Sequence, residues 1–326
     1  MRTMTLEAVG SPLVLRHHEV PLPGPREVRL RVEACGVCRT DLHVVDGQLP
    51  GMVLPVVPGH EVIGWVECVG PDVAGVLPGQ RVGVTWLGST CGSCSYCRSG
   101  HENLCDTPEF TGYTRPGGFA SHLVARADFC IPMGEADPVT MAPLLCAGLI
   151  GWRALSRAGD ACTIGIYGFG AAAHLMTQIA RHQGRRVLAL TRPGDLAAQE
   201  FARDHGVVWA GGSDTMPPET LDAAIIFAAG GELVPQALRA VRKGGRVVCA
   251  GIHMSDIPSM PYRWLWEERE LVSVANLARS DARAFFAEAC RASVHATTHP
   301  YHLEDANAAL DDLRHGRFQG AAVLVP

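Results

Sequence analysis

The chain has 326 residues, enough for two domains at the usual size of about 100–200 residues each. Hydrophobic residues make up 47% and charged residues 19%, a balance that excludes an intrinsically disordered chain. A net charge of −5, without any Lys/Arg block, gives no electrostatic reason to expect nucleic acid or an anionic membrane. We therefore expect small molecules as the partners.

The first residues, Met-Arg-Thr-Met-Thr-Leu-Glu, lack the charged and then apolar pattern of a secretory signal. No apolar run reaches the length of a membrane span. These features predict a cytoplasmic protein that does not enter a membrane. In that compartment the 12 cysteines are expected to be reduced thiols and metal ligands rather than disulfides.

Up to about residue 140, short Val/Leu-rich runs alternate with Pro and Gly, as at Pro21–Pro25 and Leu77–Gln80. This punctuation is typical of short strands in an antiparallel barrel or sandwich. The first half is therefore predicted to be β-rich. Within it, Cys38 lies in Gly-Val-Cys-Arg-Thr-Asp-Leu-His, and His60 and Glu61 lie in Pro-Gly-His-Glu.

Four cysteines then follow within one short segment. Gaps of two residues let neighbouring thiolates turn back onto one ion, and a fourth thiolate closes a tetrahedral shell. This pattern predicts a structural zinc site with no open coordination position. Its members are Cys91, Cys94, Cys97 and Cys105.

A further thiol, Cys146, lies in Pro-Leu-Leu-Cys-Ala-Gly. Together with Cys38 and His60 it offers two sulfurs and one imidazole, the three-ligand set that leaves a catalytic zinc one open position. Spacing alone cannot pair ligands so far apart in the chain. Buried structural thiols and a histidine satisfied by protein contacts are the alternative.

From about residue 144 the pattern changes to alternating strands and helices, which predicts a parallel, doubly wound sheet. The predicted strands are Thr163–Tyr167, Arg186–Leu190, Leu221–Phe227 and Arg246–Ala250, and the predicted helices are Ala171–Gln183 and Leu233–Arg242. One more helix, Arg283–Arg291, and a final strand, Ala321–Val325, follow.

A dinucleotide fingerprint follows the first of these strands. Gly168, Gly170 and Ala173 form a G-x-G-x-x-A pattern, in which the glycines permit the tight turn and the approach of a pyrophosphate. A helix N-terminus directly after it can hold the phosphates. A strand-to-helix turn without any nucleotide is the alternative interpretation.

The end of the second strand of this sheet bears on cofactor choice. An NAD site usually has an acid there, whereas an arginine accommodates a 2′-phosphate. The chain has Thr191 at that position and Arg192 next to it, which predicts a preference for NADP(H). NAD(H) remains possible, because Asp195 lies only a few residues further on.

The motifs around Cys38, His60, the four cysteines, Cys146 and the glycine-rich turn occur in the order found in zinc-dependent alcohol dehydrogenases of the medium-chain dehydrogenase/reductase family. The chain resembles this family over nearly its whole length. The resemblance implies a β-rich, GroES-like catalytic domain over residues 1–143 and 277–326. It implies a Rossmann coenzyme domain, with a doubly wound parallel sheet, over residues 144–276. The expected fold class is accordingly α/β.

The resemblance also implies the ligands and roles of the site. Cys38, His60 and Cys146 would hold a catalytic zinc, and the cysteine quartet a structural one, giving two Zn²⁺ per chain. The other family positions have supporting roles. Asp41 would orient the histidine ligand, Glu61 would support the metal, Thr40 and His43 would relay a proton, and Arg39 would reach the pyrophosphate.

Family likeness places Trp86 in the alcohol pocket, with Leu42, Phe110 and Tyr113 as candidate neighbours. Residues 276–281 depart from the Gly-Thr-Arg-like motif that many family members have near the nicotinamide, so the resemblance gives no cofactor contacts for this stretch. The implied enzyme is an NAD(P)-dependent alcohol dehydrogenase or aldehyde reductase for uncharged aliphatic or aromatic substrates, assembled as a homodimer or homotetramer. A zinc-containing reductase of a specialised carbonyl or imine, or a non-enzymatic zinc-binding interaction protein, is the alternative.

Overall fold

A computed structural model describes all residues from Met1 to Pro326. The chain forms two compact units. The first contains Met1–Cys146, Asn276–Ala282 and His295–Pro326, and the second contains Ala147–Ala275 and Arg283–Val294. The domain boundaries at residues 143 and 276 stay a prediction.

Seventeen strands are present, numbered in chain order. They are β1 (Arg2–Thr5), β2 (Val14–His17), β3 (Glu27–Val37), β4 (Glu61–Val69), β5 (Arg81–Val84), β6 (Leu87–Ser89), β7 (Glu109–Phe110), β8 (His122–Arg126), β9 (Ile131–Pro132), β10 (Thr163–Tyr167), β11 (Arg186–Thr191), β12 (Trp209–Gly212), β13 (Leu221–Ile226), β14 (Val241–Cys249), β15 (Glu270–Ser273), β16 (Thr298–His302) and β17 (Ala321–Val325).

The helices are α1 (Arg39–Val45), α2 (Ser95–Arg98), α3 (Pro138–Met141), α4 (Ala147–Arg157), α5 (Ala171–His182), α6 (Leu196–Asp204), α7 (Leu233–Ala240), α8 (Arg279–Arg291) and α9 (Ala306–His315). Short 3₁₀ turns lie at Glu102–Leu104, Ala127–Phe129, Ala142–Leu145, Tyr262–Trp264 and Leu303–Asp305. No single helix is both long and apolar enough to cross a membrane; only α3 with the adjoining 3₁₀ turn and α4, as a bent pair, reach that length and composition.

The first unit is built on a seven-stranded sheet that is mostly antiparallel, as the sequence predicted. Its order is β16, β17, β3, β4, β5, β9, with β8 paired to β3. Side chains of β3 alternate: Val28, Leu30 and Val32 are buried, while Arg31 between the last two is exposed. Because a strand has a period of two, this alternation sends one face of β3 into the core. The long pairing of β3 with β4 brings the carboxyl end of β3 beside the first residues of β4.

The second unit contains a six-stranded parallel sheet in the order β12, β11, β10, β13, β14, β15. The chain runs outward from β10 in one direction and then returns to continue from β13 in the other. The carboxyl ends of β10 and β13 therefore form the switch point at which doubly wound sheets bind ligands. The predicted α/β class, with a β-rich part and a parallel sheet, is confirmed.

The elements that were predicted differ from the observed ones mainly at their ends. Strands Thr163–Tyr167 and Ala321–Val325 have the predicted bounds. Helix α7 ends at Ala240, two residues before the predicted end, and β14 begins at once with Val241 instead of Arg246. Six helices, α1, α2, α3, α4, α6 and α9, and the strands β12 and β15 were not predicted. Helix α8 begins at Arg279, four residues before the predicted Arg283.

Candidate metal centres and cofactor site

Three segments of the first unit bring the predicted open metal set together. Cys38 follows β3 and caps α1, and its sulfur accepts a hydrogen bond from the Thr40 backbone N–H at 3.3 Å. His60 immediately precedes β4, and Cys146 follows the 3₁₀ turn that ends at Leu145. The Cys38 sulfur lies 3.1 Å from His60 Nε2 and 4.0 Å from the Cys146 sulfur.

These distances fit zinc. Usual Zn–S and Zn–N bonds in a tetrahedron give edges of about 3.8 Å between two sulfurs and about 3.5 Å between sulfur and nitrogen. The four candidate ligand atoms of Cys38, His60, Glu61 and Cys146 all lie within 4.8 Å of one another. A hydrogen bond between the two thiols lowers the pKa of Cys38 and raises that of Cys146. A divalent cation bound by both sulfurs would displace the thiol protons.

The Asp41 carboxylate faces the imidazole of His60 at close range, although their contact lacks the geometry of a regular hydrogen bond. The carboxylate is fully buried, and Oδ1 lies 3.2 Å from His60 Nδ1, on the opposite side of the ring from the Cys38 sulfur. The two oxygens also accept the backbone N–H groups of Cys38 at 2.9 Å and Gly59 at 3.1 Å. A proton on Nδ1 leaves the lone pair of Nε2 for a metal. Burial lowers the pKa of His60, but the charges of Asp41 and Cys38 outweigh it and raise that pKa.

Glu61 is a buried acid whose carboxylate lies among the thiols of Cys38 and Cys146 and the imidazole of His60. Burial raises its pKa well above the usual range, and its Oε1 has no hydrogen-bond partner. Its carboxyl group packs on Gly36, where a Cβ would lie only 1.8 Å from Oε2. An orphaned buried oxygen beside two thiols and an imidazole fits a site built for a cation. Sequence reasoning missed Gly36, although a glycine two residues before a ligand was the available signal.

Thr40 and His43 lie three residues apart on α1, so they share one helix face. Both are half-buried, and His43 Nδ1 donates a hydrogen bond to the side-chain oxygen of Gln48. Arg39, the first residue of α1, is exposed. The sequence did not single out Gln48. No local pattern marks a glutamine as the partner of a histidine five positions earlier.

An aromatic stack lies against His60. The buried Trp86 ring meets the imidazole edge to face at 5.0 Å between centroids. Its ring stacks on Phe110 at 5.1 Å and on Tyr113 at 5.7 Å. The Tyr113 hydroxyl donates to the carbonyl of Pro50. We call Trp86, Phe110 and Tyr113 the aromatic wall. Leu42 is buried in the same core.

The cysteine quartet forms a second compact donor set. The sulfur of Cys91 lies 3.9 Å from that of Cys97 and 3.5 Å from that of Cys105, and all four sulfurs lie within 4.8 Å of one another. Backbone N–H groups of Ser93 and Cys94 donate to the Cys91 sulfur and lower its pKa to about 5. Thiolates stabilised in this way are ready ligands, and a set of four sulfurs fits a closed zinc site.

The fingerprint glycines of the second unit occupy the turn between β10 and α5. Gly168 has a φ of +89°, and a Cβ there would lie 3.0 Å from the backbone of Ala228. Gly170 begins α5 without any side-chain cap, and the position of its missing Cβ is open space. Ala173 is fully buried. The first N–H groups of α5 are thus left for an anion, as a pyrophosphate site needs.

At the end of β11, the side chain of Thr191 is buried and that of Arg192 is exposed to solvent. The Thr191 hydroxyl lies 3.2 Å from the Arg192 carbonyl and 3.4 Å from that of Gly211, and it accepts the Gln199 amide at 3.3 Å. The nearby acid, Asp195, accepts the Ala198 N–H at 3.0 Å and so caps α6.

Comparisons with known proteins agree with this geometry. The family model of the alcohol dehydrogenase GroES-like domain matches residues 24–135. The Mycobacterium tuberculosis protein named "Probable alcohol dehydrogenase AdhA" is 45% identical over 316 residues, which cover 94% of this chain and 90% of the relative.

Two solved structures are similar over nearly their whole length. A cinnamyl alcohol dehydrogenase from Sorghum bicolor has a TM-score of 0.90 at 25% identity, covering 99% of this chain and 97% of that one. A cobalt- and zinc-bound thermostable alcohol dehydrogenase from Pyrobaculum aerophilum has a TM-score of 0.91 at 25% identity, covering 100% and 99%. The chain therefore belongs to the zinc-dependent alcohol dehydrogenases of the medium-chain dehydrogenase/reductase family and is an NAD(P)-dependent oxidoreductase.

Proposed function

We propose that this alcohol dehydrogenase prefers NADP(H) and interconverts uncharged aliphatic or aromatic alcohols and aldehydes at a zinc held by Cys38, His60 and Cys146. The observation that carries the proposal is the donor set of two sulfurs and one imidazole, directly beside an aromatic wall. Three protein ligands leave one position for a substrate oxygen. Zinc bound there would polarise an aldehyde carbonyl and make an alcohol easier to deprotonate.

The residues around the ligands orient them and move the proton. Asp41 would fix the ring and tautomer of His60, and Glu61 would supply negative charge next to the metal position once a cation is bound. Thr40 is the hydroxyl that accepts the alcohol proton, and His43 is the imidazole that passes it toward solvent. Their common face on α1 supports this order, because a hydroxyl both donates and accepts and an imidazole has two ring nitrogens that can carry a proton.

Gly168, Gly170 and Ala173 would hold the pyrophosphate at the N-terminus of α5, with Arg39 as a further cation for it. The bound nicotinamide cofactor supplies or accepts the hydride. The exposed Arg192 would bind the 2′-phosphate, with Thr191 shaping the end of the strand. The use of Asp195 as a helix cap supports NADP(H), because that carboxylate is already committed to a backbone N–H.

The aromatic wall would contact the apolar part of the substrate, with Trp86 nearest the metal position. Rings favour flat apolar groups over polyols, because a polyol would lose hydrogen bonds to water there without replacing them. The Sorghum relative is named for cinnamyl alcohol, an aromatic alcohol, which supports including such substrates.

The remaining parts of the proposal concern organisation. The cysteine quartet would hold a second, structural zinc, for a total of two per chain. Residues 1–143 with 277–326 would form the catalytic domain, and residues 144–276 the coenzyme domain. We also propose a homodimer or homotetramer in the cytoplasm, where the twelve unpaired cysteines would stay reduced.

A substrate panel tests the function. The purified, zinc-loaded protein is assayed with short aliphatic, aromatic and polyol substrates. Each carbonyl compound is tested with NADPH and with NADH, and each alcohol with NADP⁺ and with NAD⁺. We expect kcat/KM to be higher with NADPH than with NADH and higher for uncharged aldehydes than for polyol-derived carbonyls. A clear NADH preference would refute the cofactor assignment, and activity confined to polyols would refute the substrate class.

Replacing Arg192 with alanine tests the 2′-phosphate site. Losing one charged contact to a phosphate should lower kcat/KM for NADPH by about 10- to 100-fold, since such contacts contribute roughly 1.5–3 kcal/mol. The value for NADH should change little. Arg186→Ala is the matched control, because that exposed arginine begins the same strand and pairs with Glu219. Equal losses with both cofactors would rule out a phosphate contact.

A further inference from the structure

The cysteine quartet reaches another part of the first unit through one acid. Glu102 lies between Cys97 and Cys105, in a 3₁₀ turn, and its side chain is only 12% exposed. Its carboxylate accepts three hydrogen bonds from the guanidinium of Arg279, at 3.1, 3.0 and 2.6 Å. The two residues are 177 positions apart.

The same carboxylate also caps a helix. Arg279 is the first residue of α8, and its backbone N–H donates to Glu102 Oε1 at 2.7 Å. The first N–H groups of a helix lack partners within the helix, and a negative charge there is favourable. The preceding N–H, that of Ala278, is accepted by Asp281 at 2.7 Å. Glu102 thus takes the place of a local N-cap, which explains why α8 begins before the predicted Arg283.

Arg279 makes two further contacts within the first unit, with Phe129 and Asp128. Its guanidinium lies 4.4 Å from the centre of the Phe129 ring and donates to the Asp128 carbonyl at 3.1 Å. Arg279 lies in the stretch 276–281, whose sequence departs from the Gly-Thr-Arg-like motif of many family members. In this chain its side chain binds Glu102 of the cysteine loop. We call Glu102 and Arg279 the loop clamp.

We propose that the loop clamp couples metal in the cysteine quartet to order in the first turn of α8, with Glu102 as the residue that transmits it. The inference rests on the proposed structural zinc. Cys97 and Cys105 flank Glu102, so a metal bound by both fixes the backbone that carries its carboxylate. Without the metal, four thiol groups within 4.8 Å have no shared cation, and the loop loses its anchor.

Metal in the quartet would therefore determine the order of the first turn of α8 as well as that of the cysteine loop itself. Loss of its metal would release Glu102, leave the Arg279 N–H without an acceptor and fray residues 279–282. The candidate catalytic residues Cys38, His60 and Cys146 take no part in the clamp.

Hydrogen–deuterium exchange of the full-length protein tests the coupling, with metal per chain measured on the same samples. Removing the quartet metal with a chelator should speed exchange of the 279–282 amides by about fivefold, the usual effect of losing a helix cap. In Glu102→Ala these amides should exchange that fast with metal still bound, and metal removal should add little. Glu102→Gln, which keeps an acceptor, should lie between the two.

Glu270→Ala is the matched control, because Glu270 forms a similar multiple pair with Arg246 on another strand. It should leave exchange at residues 279–282 unchanged. Unchanged exchange there after wild-type metal loss, or wild-type protection in Glu102→Ala, would overturn the coupling. A chain that never holds metal in the quartet would instead refute the structural zinc itself, and the metal measurement distinguishes that result.

Discussion

Replacing Cys38 with serine is expected to lower kcat/KM by about a thousandfold, since a Lewis-acid metal contributes several kcal/mol to such a reaction. The metal content should fall from two ions per chain to one. The sulfur of Cys38 lies 3.1 Å from His60 Nε2 and 4.0 Å from the Cys146 sulfur, so its loss removes one of the two thiolate ligands of the set. Steady-state kinetics and metal analysis measure both effects.

Cys68→Ser is the control for this experiment. Cys68 lies on β4, as a half-buried thiol outside both metal groups, and its loss should leave metal content and activity near wild type. If Cys38→Ser retained full activity, zinc catalysis at this site would be wrong. A folded Cys38→Ser protein with one metal and a wild-type melting temperature would separate the catalytic role from a structural one.

Asp41→Asn is expected to weaken metal binding at the open site by about 10- to 100-fold, the usual cost of losing the partner of a histidine ligand. The substitution removes the charge 3.2 Å from His60 Nδ1. It also turns one of the two acceptors for the Cys38 and Gly59 N–H groups into a donor. Chelator competition gives the affinity, and kcat/KM at saturating zinc shows whether added metal restores activity.

Asp46→Asn provides the comparison, because Asp46 caps the other end of α1 and pairs with Arg314. It should leave metal affinity unchanged, since it does not touch His60. A chelator titration of Asp41→Asn that overlays the wild-type curve would show that Asp41 only caps the helix.

Regular buried strands could be predicted from the sequence, because their pattern is local. Thr163–Tyr167 is fully or partly buried along its length, between strands on both sides, and its apolar residues mark it without reference to the rest of the chain. The start of α8 could not be predicted. Its cap comes from Glu102, which no window around residue 279 contains.

The same distinction holds for the site. The two-residue gaps of the quartet are local, so its grouping follows from spacing. Cys38 and Cys146 are 108 positions apart and 4.0 Å from each other in the structure. From the sequence, only the resemblance of their surrounding motifs to those of the family assigned them to one site. The packing of Glu61 on Gly36 was missed because it depends on the pairing of β3 with β4, and the bond from His43 to Gln48 was missed because no local pattern marks that glutamine.

The pairing of Gly36 with Glu61 across β3 and β4 has an evolutionary consequence. A Cβ at residue 36 would lie 1.8 Å from Oε2 and 2.8 Å from Cδ of Glu61, so any side chain at residue 36 would force the Glu61 carboxylate out of its present position. The two residues should therefore be inherited as a pair. Lineages that acquire a side chain at residue 36 should have replaced the acid as well, and with it the negative charge beside the metal position.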